Sequence, residues 1–394
     1  MKHWRYMLSA PSMSANEEAA ALDCLRSGGL ASRAHVEAFE KAFARAHRTR
    51  HAIAVANGTV AVQLALLGAG VGSTPDDEVI QPSLNLVGAA NMTVAAGARP
   101  VFADIVALNE PTIDPEDVAR LIGPNTRAVL ALHYGGYPAR IADLQALCRA
   151  HKIVLIEEAS LGPGYLSPDL NHRALGTLGQ IGCYSVCTSN TLNSGEGGMV
   201  VTDDDGLAAR MRALLEADTG TLDPGRDGSR IFATDIMAHG FTYRMDPLRA
   251  ALGLAQLETA AAAMDVRQRR AQAYANVVES FCDGMIEHAF GWAPSEGAAL
   301  LAAILVEPHL RDGLRTFLAE KRIQTSVHYP PVHRFEAFAK CRSEGLPRTL
   351  EFADRVITLP LHADLPAMAP EHIIRFCTTY LTRQMATSPE ARPV

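Results

Sequence analysis

Polar residues follow short apolar runs at five places in the first half of the chain: Asn57-Gly58-Thr59, Gln81-Pro82, Asp104, His133 and Glu157-Glu158. Gly58 and Thr59 open a helical pattern, and the free N–H groups at a helix start bind anions such as phosphate. The same pair also serves as a plain strand-to-helix turn. Glu158 is an acid–base group, because burial at a strand end would raise its proton affinity into a useful range. Its other reading is a hydrogen-bonded structural carboxylate. His133 can carry a proton, hold structure or edge a substrate. Cys187 has no histidine base close in sequence, which favours a small packed side chain. Lysine chemistry is confined: of 36 basic residues only Lys2, Lys41, Lys152, Lys321 and Lys340 are lysine.

Positioning these groups needs a scaffold, and the pattern supplies one. Apolar runs at 52–56, 79–80, 101–103, 128–132 and 153–156 alternate with helical segments such as Val60–Leu67 and Ile141–Lys152. Strict alternation implies βαβ units and a mostly parallel sheet covered on both faces. Ligands of such sheets sit beyond the carboxyl ends of the strands, where the polar residues fall. Ile181 through Val200 reads as strand, polar loop, glycine turn and second strand through Thr202. Asp246-Pro247 is a helix start, followed by Leu248, Leu252 and Leu257 at helical spacing. A strand near Leu300–Val306, a helix near Asp312–Lys321 and a strand near Thr325–Tyr329 follow, and the last ten residues read as a frayed tail.

Composition excludes several classes. The chain has 394 residues and a net charge of −7, which argues against a broad nucleic-acid footprint. No apolar run reaches membrane-spanning length, and Met1-Lys2-His3-Trp4-Arg5 is not followed by a signal-peptide core. Seven cysteines without a Cys-x-x-Cys pair favour a cytoplasmic protein over a disulfide framework. Cys183 and Cys187 lack a second pair, so zinc is not expected.

Further motifs run in order along nearly the whole chain. They are Ser27-Gly28-Gly29, Val36–Phe39, Asn57-Gly58-Thr59, Asp77 through Pro82, Gly97 through Asp104 and His133 through Pro138. Then come Gly195-Glu196-Gly197-Gly198-Met199, Tyr243-Arg244-Met245, Ala255-Gln256-Leu257, His328 through His333 and Leu359-Pro360-Leu361. Together they resemble the DegT/StrS family of sugar aminotransferases, which have fold type I of the pyridoxal-phosphate (PLP) enzymes. The resemblance implies an α/β chain with two parts. Residues 1–256 would hold an N-terminal segment and a large domain with a mostly parallel sheet. Residues 257–394 would hold a linking helix and a smaller C-terminal α/β domain. It also implies a homodimer with active sites at the subunit interface.

The resemblance places Gly58, Thr59 and Ser185 at a phosphate cradle, and His328 and Tyr329 beside the substrate. Other positions depart from the family. Asn190 stands where the family carries its aldimine lysine, five residues after the serine and five before the glycine motif. No lysine occurs from 153 to 320. Glu158 replaces an aspartate, Leu161 a glutamine, Leu86 the aromatic that stacks on the cofactor, and Thr242 an asparagine. An amide nitrogen is not basic, so Asn190 can neither form a Schiff base nor carry a proton at neutral pH.

These departures lead to the expectation of a repurposed family member in a sugar, aminocyclitol or antibiotic pathway. It would run acid–base chemistry on a polar, anionic small molecule through Glu158, Asn190 and His133, without an internal aldimine. No cofactor is expected to be covalently bound, and no metal, nucleic acid or membrane is expected as a partner. One alternative is an unconventional enzyme on a nucleotide sugar with PLP or its amine form, PMP, held non-covalently. The other is a non-catalytic partner of an active paralogue.

Overall fold

A computed structural model describes residues 4–10, 13–160, 166–167, 172–187, 191–216, 223–224, 230–231, 240–282 and 284–387. Asn190 and Leu161 lie outside the described residues, as do residues 388–394 of the expected tail.

The chain opens with α1 (Ala15–Arg26) and α2 (Ala34–His47), then enters strand–helix alternation. β1 (His51–Val55), α3 (Gly58–Gly68), β2 (Glu78–Pro82), α4 (Val87–Ala95) and β3 (Arg99–Ala103) come first. α5 (Pro115–Leu121), β4 (Thr126–Leu132), α6 (Ile141–His151), β5 (Val154–Glu158), β6 (Ile181–Ser185), β7 (Gly198–Thr202) and α7 (Asp205–Glu216) follow. The C-terminal half holds α8 (Pro247–Phe281), β8 (Glu287–His288), β9 (Ala302–Leu305), α9 (Pro308–Glu320) and β10 (Arg342–Ser343). It ends with α10 (Pro347–Arg355), β11 (Val356–Leu359) and α11 (Ala369–Thr387).

Eight strands form one sheet in the order β1-β7-β6-β5-β4-β2-β3-β10. The pairs from β6 to β10 are parallel; β7 runs antiparallel to both β1 and β6. β8, β9 and β11 make a separate three-stranded antiparallel sheet. The central strands are buried on both faces, which is why they read as unbroken apolar runs. α3 is buried nearly all round, packed between the sheet and its neighbouring helices.

Asp246 caps α8, its carboxylate accepting from the N–H of Arg249 at 3.0 Å, with Pro247 at the first helical position. The spaced leucines do not form its buried face. Leu248, Leu252 and Leu257 are half-buried, while Ala250, Ala251, Gly253, Ala255 and Ala260 are buried. Close approach to α2 explains this: a Cβ on Gly253 would stand 2.7 Å from Phe39 Cζ. Small residues there let the two helices meet at short range.

Two other expectations need correction. Thr325–Tyr329 is not a strand. Only Ser326 bridges to Thr358, and Pro330-Pro331 ends any ladder by removing backbone donors. Residues 385–387 are the end of α11 rather than tail.

Candidate active site

β1 delivers the chain to Asn57, whose Oδ1 accepts from the N–H of Val60 at 2.9 Å and caps α3. The capping leaves the N–H groups of Gly58 and Thr59 at the helix start. Ser185 ends β6 directly against them. A Cβ on Gly58 would fall 2.6 Å from the Ser185 Cβ, so only glycine admits this approach. The start of α4 comes in beside Thr59: a Cβ on Gly88 would lie 3.2 Å from Thr59 Oγ1. Two helix starts and a serine therefore converge at the carboxyl ends of β1 and β6, the arrangement that binds a phosphate.

Glu158 ends β5 and is 5% exposed. Its Oε2 accepts from Asn85 Nδ2 at 2.9 Å, which is its only side-chain hydrogen bond among the described residues. Burial pushes its carboxyl above the usual carboxylate range, and Asn85 and His133 oppose that rise. Its neighbour Glu157 points to the other face and is fully occupied. Glu157 accepts from His133 Nε2 at 2.8 Å, Gly176 N at 3.0 Å and Leu178 N at 2.6 Å.

His133 does not meet the expectation of a proton carrier. It is completely buried, Nε2 faces Glu157, and Nδ1 accepts from the N–H of Ala139 at 3.1 Å. Its backbone N–H donates to the Glu158 carbonyl at 3.0 Å. Both ring nitrogens are held within the protein, so His133 positions the ends of β4 and β5.

A cavity of about 180 Å³ lies beside this cluster, lined by Leu86, Ser160, Ser185, Cys187, His328 and Tyr329 among others. Leu86 is 49% exposed and immediately precedes α4. Cys187 is half-buried and faces the cavity rather than packing in the core, whereas Cys183 is buried on β6. His328 Nδ1 pairs with Thr358 Oγ1 at 2.8 Å, and burial pushes its imidazole down to about 4. Tyr329 is pushed up by burial, with Glu158 and Cys187 adding negative potential. The structure thus brings Gly58, Thr59, Ser185, Leu86, Glu158, His328 and Tyr329 together.

Sequence reasoning missed Asn85, Ser160 and Thr358. Asn85 carried a usable signal, since it stands three residues past Pro82, just beyond the carboxyl end of β2. Ser160 and Thr358 carried none. Asp104, one of the polar residues at strand ends, belongs to a structural tie. It accepts from Thr349 Oγ1 at 2.7 Å and pairs with Arg348 at 3.2 Å. Among the described residues no group of three or more His, Cys, Asp or Glu could hold a metal. None of the described helices is long and apolar enough to cross a membrane.

The family model of the DegT/DnrJ/EryC1/StrS aminotransferases matches residues 11–379. The chain is 31% identical over 372 residues to a GDP-perosamine synthase from Vibrio cholerae, covering 93% of this chain and 96% of that protein. It is 32% identical over 328 residues to a dTDP-4-dehydro-2,3,6-trideoxy-D-glucose 4-aminotransferase from Saccharopolyspora spinosa, covering 78% and 79%. Among solved structures, S. venezuelae DesV in complex with a ketimine intermediate superimposes with a TM-score of 0.80 at 31% identity. That match covers 93% of this chain and 94% of DesV. The architecture is PLP fold type I.

These relatives overturn one expectation. No covalent cofactor was expected, with PLP or PMP as a doubtful occupant. Whole-chain likeness to sugar aminotransferases, one of them trapped as a ketimine, points instead to a PLP cofactor. The residues present fit that group at two ends. The cradle of α3 and Ser185 suits the phosphate, and the buried Glu158, held by one amide, suits the ring nitrogen.

Proposed function

The chain belongs to the DegT/DnrJ/EryC1/StrS aminotransferase family, and from that premise we propose that it is a PLP/PMP-dependent enzyme that aminates a nucleotide-linked keto sugar. The observation that carries the reading is the pairing of an intact phosphate cradle with a buried carboxylate beside one cavity. The names of the relatives, a GDP-perosamine synthase and a dTDP-sugar 4-aminotransferase, support that substrate class.

When bound, the cofactor supplies an electron sink that lets an amino group pass to a ketone carbon. Glu158 keeps the ring nitrogen protonated, because a buried carboxylate gains most from a cationic partner. Gly58, Thr59 and Ser185 anchor the phosphate end. Leu86 covers the cofactor with apolar surface where an aromatic ring would otherwise stack. His328, neutral at physiological pH, and Tyr329, which keeps its proton, offer a hydrogen-bond acceptor and a donor to sugar oxygens. The protein works as a cytoplasmic homodimer with interfacial sites, and its chain divides near residue 256.

The test is a fluorescence titration with PLP and PMP, followed by single turnover of the PMP-loaded protein with GDP- and dTDP-linked 4-keto sugars. Saturable binding and one amino sugar per loaded site support the reading. Absence of cofactor binding sinks it. Binding without turnover, restored on co-expression with a lysine-bearing paralogue, would favour the non-catalytic partner instead.

A further inference from the structure

A second cavity, of about 340 Å³, is lined by Thr191, Asn193 and Arg267 among others. Leu361 lines the cofactor cavity, while its carbonyl accepts from Arg267 Nη1 at 3.2 Å, and Arg267 lines the second cavity. Arg267 is 4% exposed on α8. Among the described residues no carboxylate lies within ion-pair distance of it, and its one hydrogen bond there goes to a neutral carbonyl. A guanidinium keeps its proton in proteins, so among the described residues this charge is buried without a counterion. Burial alone pushes it down to about 10.

Orphaned donors stand in the same wall. Asn193 Nδ2 and Thr191 Oγ1 are buried without a hydrogen-bond partner, and both residues line the cavity. Two carboxylates also face the space. Glu17 is already committed, its Oε1 accepting from Gln256 Nε2 at 2.7 Å and its Oε2 from Ser14 N at 2.8 Å. Asp364 is exposed at the rim. An uncompensated cation beside unsatisfied donors is costly unless something accepts from them.

We propose that this cavity is an oxyanion subsite, in which Arg267, Asn193 and Thr191 take the carboxylate or phosphoryl group of a small ligand. The inference stands on these side chains alone and does not depend on the cofactor reading.

Calorimetric and thermal-shift titrations of the full chain, at constant ionic strength, test it with glutarate and with inorganic phosphate. Saturable one-to-one binding of either anion is expected, and the preferred one identifies the source as a carboxylate or a phosphate ligand. Binding should persist in Ser185→Ala, which separates it from the phosphate cradle. Arg267→Gln should weaken it by about tenfold or more, with Arg267→Lys recovering part. Asn193→Asp places a carboxylate in the same wall. It should raise the melting temperature without ligand and weaken anion binding, which keeps the test decisive if Arg267→Gln fails to fold. Failure of both anions to saturate, or unchanged affinity in Asn193→Asp, would overturn the proposal in favour of a water-filled void.

Discussion

Asn85 Nδ2 donates to Glu158 Oε2 at 2.9 Å, joining the loop after β2 to the end of β5 beneath the cavity. This bond favours the charged carboxylate, but burial disfavours it more, so the Glu158 pKa stands above its ordinary 4.5. The native state therefore binds more protons than the unfolded chain between that value and the raised one. By linkage, this residue's penalty is absent in acid and grows as pH rises through the native pKa. Each unit of elevation is worth about 1.4 kcal/mol. In cofactor-free protein, Glu158→Gln should be the more stable form at pH 7.5, with the gap closing towards pH 4.5. Melting temperatures across pH check this, and a constant gap would count against it. The same variant should bind PLP more weakly.

Gly58 and Ser185 make a pair that can be tested by a double-mutant cycle. Gly58→Ala drives a methyl to 2.6 Å from the Ser185 Cβ, and overpacking of this kind costs about 1–3 kcal/mol. Adding Ser185→Gly should recover most of that stability. It should not recover phosphate affinity, because the hydroxyl is gone and the helix start has moved. Chemical denaturation reads the first effect and PLP titration the second. Equal recovery of both would mean that the cradle does not hold the phosphate.

Acid stability should depend on His47. It is completely buried, its Nδ1–H donating to the Phe43 carbonyl at 2.9 Å while its ring stacks on Phe43 at 3.8 Å. Burial pushes it down to about 4 from 6.5. Its native pKa is depressed, so stability is fully present above 6.5 and drains as pH falls towards 4. The loss reaches about 3 kcal/mol. His47→Phe should remove that slope, so urea midpoints of the two proteins should converge between pH 7 and pH 4.

The sheet and its helices were legible because buried parallel strands and buried helices write continuous apolar runs. The cap of α8 was legible because Asp-Pro has one good use. Thr325–Tyr329 has strand-like composition but turns against Thr358 and the cavity wall, which composition does not record. At the site, Glu158 was readable as a carboxylate at a strand end, yet His133 and Asp104 carried the same signal. What separates them is tertiary: Glu157 and Ala139 saturate His133, and Arg348 and Thr349 saturate Asp104. The cofactor was harder to read, because replaced side chains are conspicuous in a sequence and a backbone cradle is not.

Asn190→Lys is the sharpest probe of what that cradle can still do. The position is fixed by sequence, between Ser185 and the glycines at 195–198. A new amine there could join a bound PLP, giving a visible band that borohydride makes permanent. Linkage needs the ring held at one angle, and Leu86 supplies apolar cover without the stacking preference of an aromatic ring. Such preference is worth about 0.5–1.5 kcal/mol, up to roughly tenfold in occupancy of the reactive pose. Asn190→Lys alone should therefore give weak borohydride-fixed labelling and little multiple turnover. Combining it with Leu86→Tyr and Leu161→Gln should raise both by about tenfold. If the single variant already matches the triple, Leu86 and Leu161 are neutral.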